Sequence, residues 1–157
     1  MSLTKIRGKS STVFVWQPNW SWKNGTDTWL SKLFKNKTVL NFPCGKSNFG
    51  DIRADIDPTV KPDIICDLDY PPFKKESIDI IICDPPFSKF NKFKWCIRLG
   101  EIVKEQIMFS TPNLRLSLKE FFLPELYVTG ENNRYYLRFW LLFKRKQKQL
   151  LTFEGEC

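Results

Sequence analysis

Residues 78–87 limit what this chain can fold into more than any other stretch. Of the first six residues, five are apolar and four are isoleucine. An uninterrupted β-branched run is typical of a strand covered on both faces. The run ends at Asp84, Pro85 and Pro86, and because proline cannot donate to a strand ladder, the strand must stop there. We therefore predict a central parallel strand that presents a carboxylate, rigid carbonyls and the ring of Phe87 at its carboxyl end, where open α/β sheets bind ligands.

The remaining residues indicate short strands and helices around that central strand. The other predicted strands are residues 38–42, 52–58, 63–68 and 107–112, followed by a hairpin of 126–129 and 134–143 with a turn at 130–133. The predicted helices are residues 26–35 with a cap at Thr26 or Asp27, residues 88–106, and a short helix capped by Ser117 that carries Phe121 and Phe122. This order predicts one α/β domain over residues 1–157, with a Rossmann-like, mainly parallel sheet and an antiparallel C-terminal hairpin. Residues 1–25 form an aromatic N-terminal segment of this domain, and residues 144–157 form a basic tail.

The charge balance points to a polyanionic partner. The chain has 25 Lys and Arg residues against 17 Asp and Glu residues, a net charge of +8. In a small domain this favours nucleic acid, although a basic surface can also serve solubility alone. The candidate contacts are Lys89, Lys92, Lys94, Trp20 and Trp22. The tryptophans can stack on bases or anchor a core, and the basic tail is either a solvated end or a phosphate-contacting arm.

The residue types that are missing narrow the chemistry. There is no histidine, and the five cysteines include no CxxC pair, so we expect no metal site. An odd number of cysteines in apolar contexts favours reduced thiols and a cytoplasmic location, or the host cytoplasm if the chain is viral. No stretch approaches the length of a membrane span, so no membrane association is expected. Without histidine, any chemistry depends on carboxylates, backbone carbonyls and lysines.

Three further strand ends carry groups suited to a ligand. The first predicted strand runs into a loop rich in glycine, serine and asparagine, the second ends at Asp55 and Asp57, and the third ends at Asp67. Together with Asp84-Pro85-Pro86-Phe87, these segments resemble the motifs of S-adenosylmethionine-dependent methyltransferases. Within that group they are similar to the amino-methyltransferases, whose hallmark is Asp/Asn/Ser-Pro-Pro-aromatic. The size and spacing resemble compact stand-alone enzymes from archaea and their viruses.

The resemblance implies S-adenosylmethionine as the cofactor and gives each strand end a role. The glycine loop lets the backbone approach the methionine part, Asp55 accepts both ribose hydroxyls with Asp57 as the alternate, and Asp67 meets the adenine amino group. Asp57 can instead start a turn, and Asp67 can instead cap a strand end. The implied cofactor-binding residues are Asn41, Phe42, Pro43, Cys44, Gly45, Asp55, Ile56, Asp67 and Leu68.

The implied catalytic residues are Asp84, Pro85, Pro86 and Phe87. Asp84 and the Pro85 carbonyl can accept the two hydrogens of an exocyclic amine and aim its lone pair at the methyl group, while Phe87 stacks on a base turned out of its helix. The resemblance favours N6 of adenine in DNA. An RNA base amino-methyltransferase, such as one acting on guanine N2, and a non-catalytic nucleic-acid-binding module stay open. Cytosine N4 is disfavoured, because serine usually leads the tetrapeptide of those enzymes.

The chain departs from the family pattern in three ways. Asn41 stands where an acid is usual, and Ser47 stands where a further glycine is common. Only nine residues separate Gly45 from Asp55, which is too few for a helix of about eleven residues, so we expect reduced helix cover. The N-terminal tryptophans, the hairpin or a second subunit could shield the sheet, and the last of these motivates the expectation of a homodimer. No target-recognition domain fits, so short loops, a dimer partner or a separate protein must read the substrate, and the candidate segments are residues 18–23, residues 88–94 and the basic tail.

Overall fold

The computed structural model of the chain describes residues 4–5, 13–14, 24–86, 94–111, 121–131 and 136–146. In chain order, its elements are β1 (Thr4–Lys5), β2 (Val13–Phe14), α1 (Asn24–Leu33), β3 (Val39–Asn41), β4 (Ile52–Asp55), the 3-10 turn η1 (Pro58–Val60), β5 (Ile64–Ile65), β6 (Ile78–Cys83), α2 (Lys94–Ile102), β7 (Val103–Thr111), β8 (Phe121–Glu131) and β9 (Tyr136–Arg145). Neither described α-helix is long and apolar enough to cross a membrane.

The described strands form one sheet in the order β1-β8-β9-β7-β6-β3-β4-β5, and β2 also pairs with β8. The pairs from β5 through β4, β3 and β6 to β7 are all parallel. The last strand, β9, is antiparallel to both of its neighbours, β7 and β8. The predicted fold class, a mainly parallel Rossmann-like sheet with an antiparallel C-terminal hairpin, is therefore confirmed.

Strand β6 lies inside the sheet with a parallel neighbour on each side, β7 and β3, as its isoleucine run predicts. Its side chains alternate between two buried clusters: Ile80 and Ile82 pack beneath α1, whereas Ile81 and Cys83 pack beneath α2. All four are fully shielded from solvent, and each large apolar side chain buried in this way contributes about 1.5–3 kcal/mol. The strand is therefore apolar without alternation because both of its faces are covered.

Among the described residues, one helix packs on each face of the sheet. On the first face, Leu30 of α1 and Phe34, which directly follows the helix, pack into the core. On the second face, α2 packs through Trp95 and Leu99, and the ring of Trp95 meets Phe109 edge-on at 5.7 Å. Helix α1 begins at Asn24 and ends at Leu33. Thr26 and Asp27 therefore lie inside its first turn, and the prediction that one of them caps the helix is wrong.

Two predicted helices are corrected where strand pairing decides the structure. Helix α2 ends at Ile102, and residues 103–106 belong to β7, because Val103 and Gln106 pair with β6. Phe121 and Phe122 belong to β8 and pair with β9. Long-range ladders therefore prevail over local helical periodicity. Residues 88–93 and Ser117 lie outside the described residues.

The C-terminal hairpin is confirmed; its first strand is longer than predicted, and its second strand extends two residues further along the chain, to Arg145. Gly130 and Glu131 were expected in the turn but pair with β9. Lys144 and Arg145 were assigned to the basic tail but are the last residues of β9. Residues 132–135 and 147–157 lie outside the described residues.

The expected shortage of helices is also confirmed on the β4–β5 side of the sheet. The connection from β3 to β4 is an extended loop, and the connection from β4 to β5 contains only the 3-10 turn η1. Strand β5 lies at the edge of the sheet, and the side chain of Ile65 on it is 63% exposed. Part of the sheet therefore has little cover within the described chain.

Candidate active site

The candidate site lies where the chain reverses its direction of travel across the sheet. From β3 the chain moves outward to β4 and β5, and it then returns to β6 on the other side of β3. Open α/β sheets bind ligands beyond the carboxyl ends of the strands at such a switch point. Asn41 pairs with Ile82, and the Phe42 N–H donates to the Ile82 carbonyl at 2.9 Å. The two strands therefore open into their loops side by side.

The loop after β3 folds across the end of β4. The Cys44 N–H donates to the Ala54 carbonyl at 2.9 Å, and the Gly45 N–H donates to Asp55 Oδ2 at 2.8 Å. Gly45 has φ of 51°, a left-handed conformation in which glycine carries no side-chain penalty. Gly50 has φ of 106°, and a Cβ there would lie 3.1 Å from the Cβ of Asn41. Glycine is therefore required for the close packing of this loop.

Asp55 holds the loops together with both of its carboxylate oxygens. Oδ2 accepts the Gly45 N–H, and Oδ1 accepts the Asp57 N–H at 3.0 Å. The residue is only 7% exposed. Each carboxylate oxygen has two lone pairs, so one acceptor position on each oxygen remains after these bonds. The expected bonds from ribose hydroxyls to Asp55 stay a prediction. The sequence did not predict that Asp55 also joins the Gly45 loop to the end of β4.

Ile56 and Asp57 have separate roles at the end of β4. The side chain of Ile56 is 61% exposed beside Asp55 and gives the edge an apolar surface, which suits the face of a planar ring. Asp57 caps η1, and its carboxylate accepts the Thr59 N–H at 2.8 Å. Bonds from Thr59 hold the pKa of Asp57 below its ordinary value. The interpretation of Asp57-Pro58 as the start of a turn is therefore confirmed.

Asp67 and Leu68 follow β5 at the same edge. Asp67 Oδ1 accepts the Asp69 N–H at 2.9 Å, and the Asp67 carbonyl accepts the Tyr70 N–H, so Asp67 begins a turn. The Leu68 side chain is buried in the core. A buried Leu68 leaves only the backbone of that residue to contact a ligand. The expected adenine contacts of both residues stay a prediction.

The Asp84-Pro85-Pro86 segment leaves β6 beside the glycine loop. Asp84 is half-buried, Pro85 is buried and Pro86 is exposed. Cys83, which precedes Asp84, is fully buried, and this burial raises the pKa of its thiol well above the ordinary value. Cys83 is therefore a neutral core residue and not a nucleophile. Phe87, Lys89, Lys92, Trp20 and Trp22 lie outside the described residues, and Lys94 is the first residue of α2.

Arg53 is a residue of the site that sequence reasoning missed. Its guanidinium donates to the carbonyls of Ser47 at 2.8 Å, Lys61 at 3.0 Å and Val60 at 3.2 Å. These carbonyls belong to the two connections in which helices are lacking. The side chain therefore joins loops on both sides of β4. The sequence offered one signal for this role, a basic residue within a short strand that ends in acids.

The start of the predicted basic tail lies near the amino end of β7, at the strand ends away from Asp84. Because β9 runs antiparallel to β7, Lys144 pairs with Gln106 near the amino end of β7. Arg145 donates to carbonyls at the end of α2 and the start of β7, including that of Lys104 at 3.1 Å, and it pairs with Glu76 at 3.7 Å. These residues line a cleft of about 500 Å³. The expectation that this segment contacts the substrate stays a prediction, and Lys144 and Arg145 lie at the strand ends away from Asp84.

A second cleft of about 460 Å³ lies between α1 and residues 48–51.

Among the described residues, no group of three or more His, Cys, Asp and Glu side chains could hold a metal ion.

Comparison with known proteins supports the fold. No protein-family model matches the chain, and no curated protein matches it. Among solved structures, magnesium protoporphyrin IX methyltransferase (ChlM) from Synechocystis PCC 6803 with bound SAM has a TM-score of 0.58 at 15% identity, over 78% of this chain and 77% of that one. The candidate methyltransferase yhhF from Escherichia coli has a TM-score of 0.54 at 14% identity, over 92% of this chain and 96% of that one. The chain therefore has the fold of S-adenosylmethionine-dependent methyltransferases.

Proposed function

We propose that the protein is an S-adenosylmethionine-dependent methyltransferase that modifies the exocyclic N6 amine of adenine in DNA. The observation that carries the proposal is the meeting of the Gly45 loop with Asp84-Pro85-Pro86 at the switch point, where β3 and β6 are direct neighbours. Acceptors, an apolar surface and a glycine-dependent backbone lie along one edge, and this set fits a cofactor with a nucleoside end and an amino-acid end. The cofactor supplies an electrophilic methyl group on sulfur.

The residues of this chain would bind the cofactor along three strand ends. The loop of residues 42–45 approaches the amino-acid part, Asp55 accepts from the ribose, and Ile56 packs against the adenine. Asp67 and the Leu68 backbone bond to the edge of that adenine. Asp57 is not assigned a cofactor role, because capping of η1 already engages its carboxylate.

Asp84 and the Pro85 carbonyl would orient the target amine. Each accepts a hydrogen bond from one N–H of the amine. Together these bonds favour a pyramidal nitrogen with its lone pair directed at the methyl group. The two prolines restrict the direction of the carbonyl. Phe87 stacks on the extruded base. Rate acceleration then comes from orientation and local charge, and it requires neither histidine nor a metal.

A nucleic-acid substrate is supported by the net charge of +8. Lys89, Lys92 and Lys94 are proposed contacts because they follow Asp84-Pro85-Pro86-Phe87 in the sequence. Trp20 and Trp22 are proposed contacts because indole rings can stack on bases. The register of the hairpin of β8 and β9 adds a further surface beside the candidate site. Phe139 pairs with Thr111, the last residue of β7, and three more pairs of β8 and β9 follow, ending at Glu131 and Tyr136. At about 3.3 Å per residue, the hairpin projects about 10 Å beyond the end of β7, on the side of Asp84.

We also propose a homodimer. The exposed Ile65 on the edge strand β5 and the lack of helices over β4 and β5 support it, because an unpaired edge with apolar side chains is a surface for association. Sedimentation velocity at micromolar concentration checks this proposal, and a monomeric mass there would contradict it.

Transfer of tritiated methyl groups to duplex DNA and to RNA tests the function. The wild type is expected to label DNA, and Asp84→Ala is expected to lose transfer while it keeps its affinity for S-adenosylhomocysteine. Asp79→Ala is the matched control, because Asp79 lies at the amino end of β6, the end of the strand away from Asp84. Labelled RNA with unlabelled DNA would favour the RNA base amino-methyltransferase. A protein that gives no transfer and no calorimetric signal with the cofactor would be a non-catalytic module.

A further inference from the structure

The cleft of about 500 Å³ at the amino ends of β6 and β7 has an excess of basic side chains. Four of its lining residues are basic and two are acidic: Lys104, Lys144, Arg145, Lys146, Glu76 and Glu105. Lys74 and Lys75, which directly precede Glu76 in the chain, are both exposed. This end of the sheet therefore presents positive charge to solvent.

The carboxyl ends of the parallel strands carry the opposite charge. Five aspartates end or follow β4, β5 and β6 there: Asp55, Asp57, Asp67, Asp69 and Asp84. Of the described basic residues beside them, Arg53 already donates to loop carbonyls. The described residues of the candidate active site therefore do not supply the net charge of +8. Charges separated in this way create a field that directs a polyanion towards one end of the sheet.

Two lysines of the cleft are more exposed than the carboxylates that they pair with. Lys104 Nζ lies 3.0 Å from Asp79 Oδ1, and Lys144 Nζ lies 3.6 Å from Glu125 Oε1. The lysine side chains are 47% and 39% exposed, whereas those of Asp79 and Glu125 are 20% and 17% exposed. An ammonium group has three donors, so one carboxylate does not exhaust it. A ligand that approaches the cleft therefore meets ammonium groups before carboxylates.

The sheet holds the basic groups of the cleft in place. Between the pairs that join β7 to Ile78 and Ile80, β7 has one residue more than β6. Such irregularities redirect side chains, and the consecutive residues Lys104 and Glu105 both line the cleft. Arg145 is fixed by bonds to three carbonyls at the junction of α2 and β7. Groups that are already ordered lose less conformational entropy when a ligand binds.

We propose that this cleft binds the phosphate backbone of DNA at a second contact outside the candidate active site, an inference that rests on the proposed function for its nucleic-acid partner. A backbone contact requires cations and no group that reads bases. Strand β6 has six residues at about 3.3 Å each, so the cleft lies about 20 Å from Asp84 along the strand. The cleft would therefore hold a stretch of DNA other than the one that carries the target base. DNA is favoured over an acidic protein, because two contacts on one long molecule strengthen each other.

Filter binding of a labelled duplex of about 200 base pairs, longer than the persistence length of DNA, tests the proposal. The test variant is Lys144→Gln with Lys146→Gln. The control is Lys32→Gln with Arg98→Gln, which removes the same charge from exposed positions on α1 and α2. The test variant should bind about 3-fold to 30-fold more weakly at low salt. Its slope of log K against log salt should be shallower by about 2, one for each phosphate contact, whereas the control should keep the wild-type slope.

A second variant separates binding from folding. Glu76→Gln with Glu105→Gln removes the two carboxylates that line the cleft. This protein should bind the duplex more tightly than the wild type, a gain that loss of folding does not produce. The inference is overturned if the lysine variant and its control have equal slopes and affinities, or if the glutamate variant gives no gain. A lysine variant that loses binding to polyglutamate but keeps its binding to DNA would assign the cleft to an acidic protein and would also overturn it.

Methyl transfer to the same duplex distinguishes this inference from the proposed function. If the wild type methylates the duplex and the lysine variant binds it as the control does, the cleft contact is refuted and the proposed function stands. If the salt slope falls as expected but the wild type transfers no methyl group, the cleft contact stands and the proposed function is refuted.

Discussion

Replacing Arg53 with methionine removes the guanidinium that joins the two loops beside β4 and keeps a side chain of similar length. Ser47 is buried, so its carbonyl would lose its donor without access to water, at a cost of about 1–3 kcal/mol. The carbonyls of Val60 and Lys61 lie nearer to solvent and can be hydrated, so each loss costs about 0.5 kcal/mol. The free energy of unfolding should therefore fall by about 2–4 kcal/mol.

Thermal unfolding followed by circular dichroism measures this loss. For a domain of this length, 1 kcal/mol corresponds to about 2–4 °C, so the midpoint should fall by about 5–15 °C. Arg53→Lys should give a smaller loss, because an ammonium group retains the charge but not the planar fork that reaches several carbonyls. Arg98→Met is the matched control, because Arg98 is exposed on α2, and its midpoint should change by less than about 2 °C. If Arg53→Met is no less stable than Arg98→Met, the connection of the loops through Arg53 is not what stabilises this edge.

Two further predictions concern backbone strain and acid stability. Gly50→Ala should lower the free energy of unfolding by about 1–3 kcal/mol, because φ is 106° and the added Cβ would lie 3.2 Å from the Ile52 carbonyl oxygen; Gly100→Ala within α2 should not destabilise, and equal urea midpoints for the two variants would contradict this reasoning. The pKa of Asp79 is held below its ordinary value by the N–H of Thr38 and by Lys104, so its contribution is present above about pH 4 and is lost as the pH falls through the lowered value. Urea unfolding between pH 6 and 2 should therefore show a shallower loss of stability for Asp79→Asn than for the wild type, and parallel curves would exclude the contribution.

Elements with strong local signals could be predicted from the amino-acid sequence. The isoleucine run and the two prolines define β6 and its end, because β-branched residues favour a covered strand and proline cannot continue one. The short spacing between Gly45 and Asp55 excluded a helix, which the extended loop confirms. The hairpin was also predictable from two strand-like runs on either side of residues 130–133, although its first strand proved longer and its second strand extended to Arg145.

Contacts between distant parts of the chain set which periodic segments form strands and which polar groups lie together. Residues 103–106 and Phe121 follow a helical pattern, but their backbone groups pair with strands distant in the chain, and this pairing prevails over local preference. The same holds for Asp55, whose two bonds come from Gly45 and Asp57, and for Arg53, whose acceptors lie in separate loops. Local chemistry thus sets where strands begin and end, whereas long-range pairing and packing set which side chains share a site.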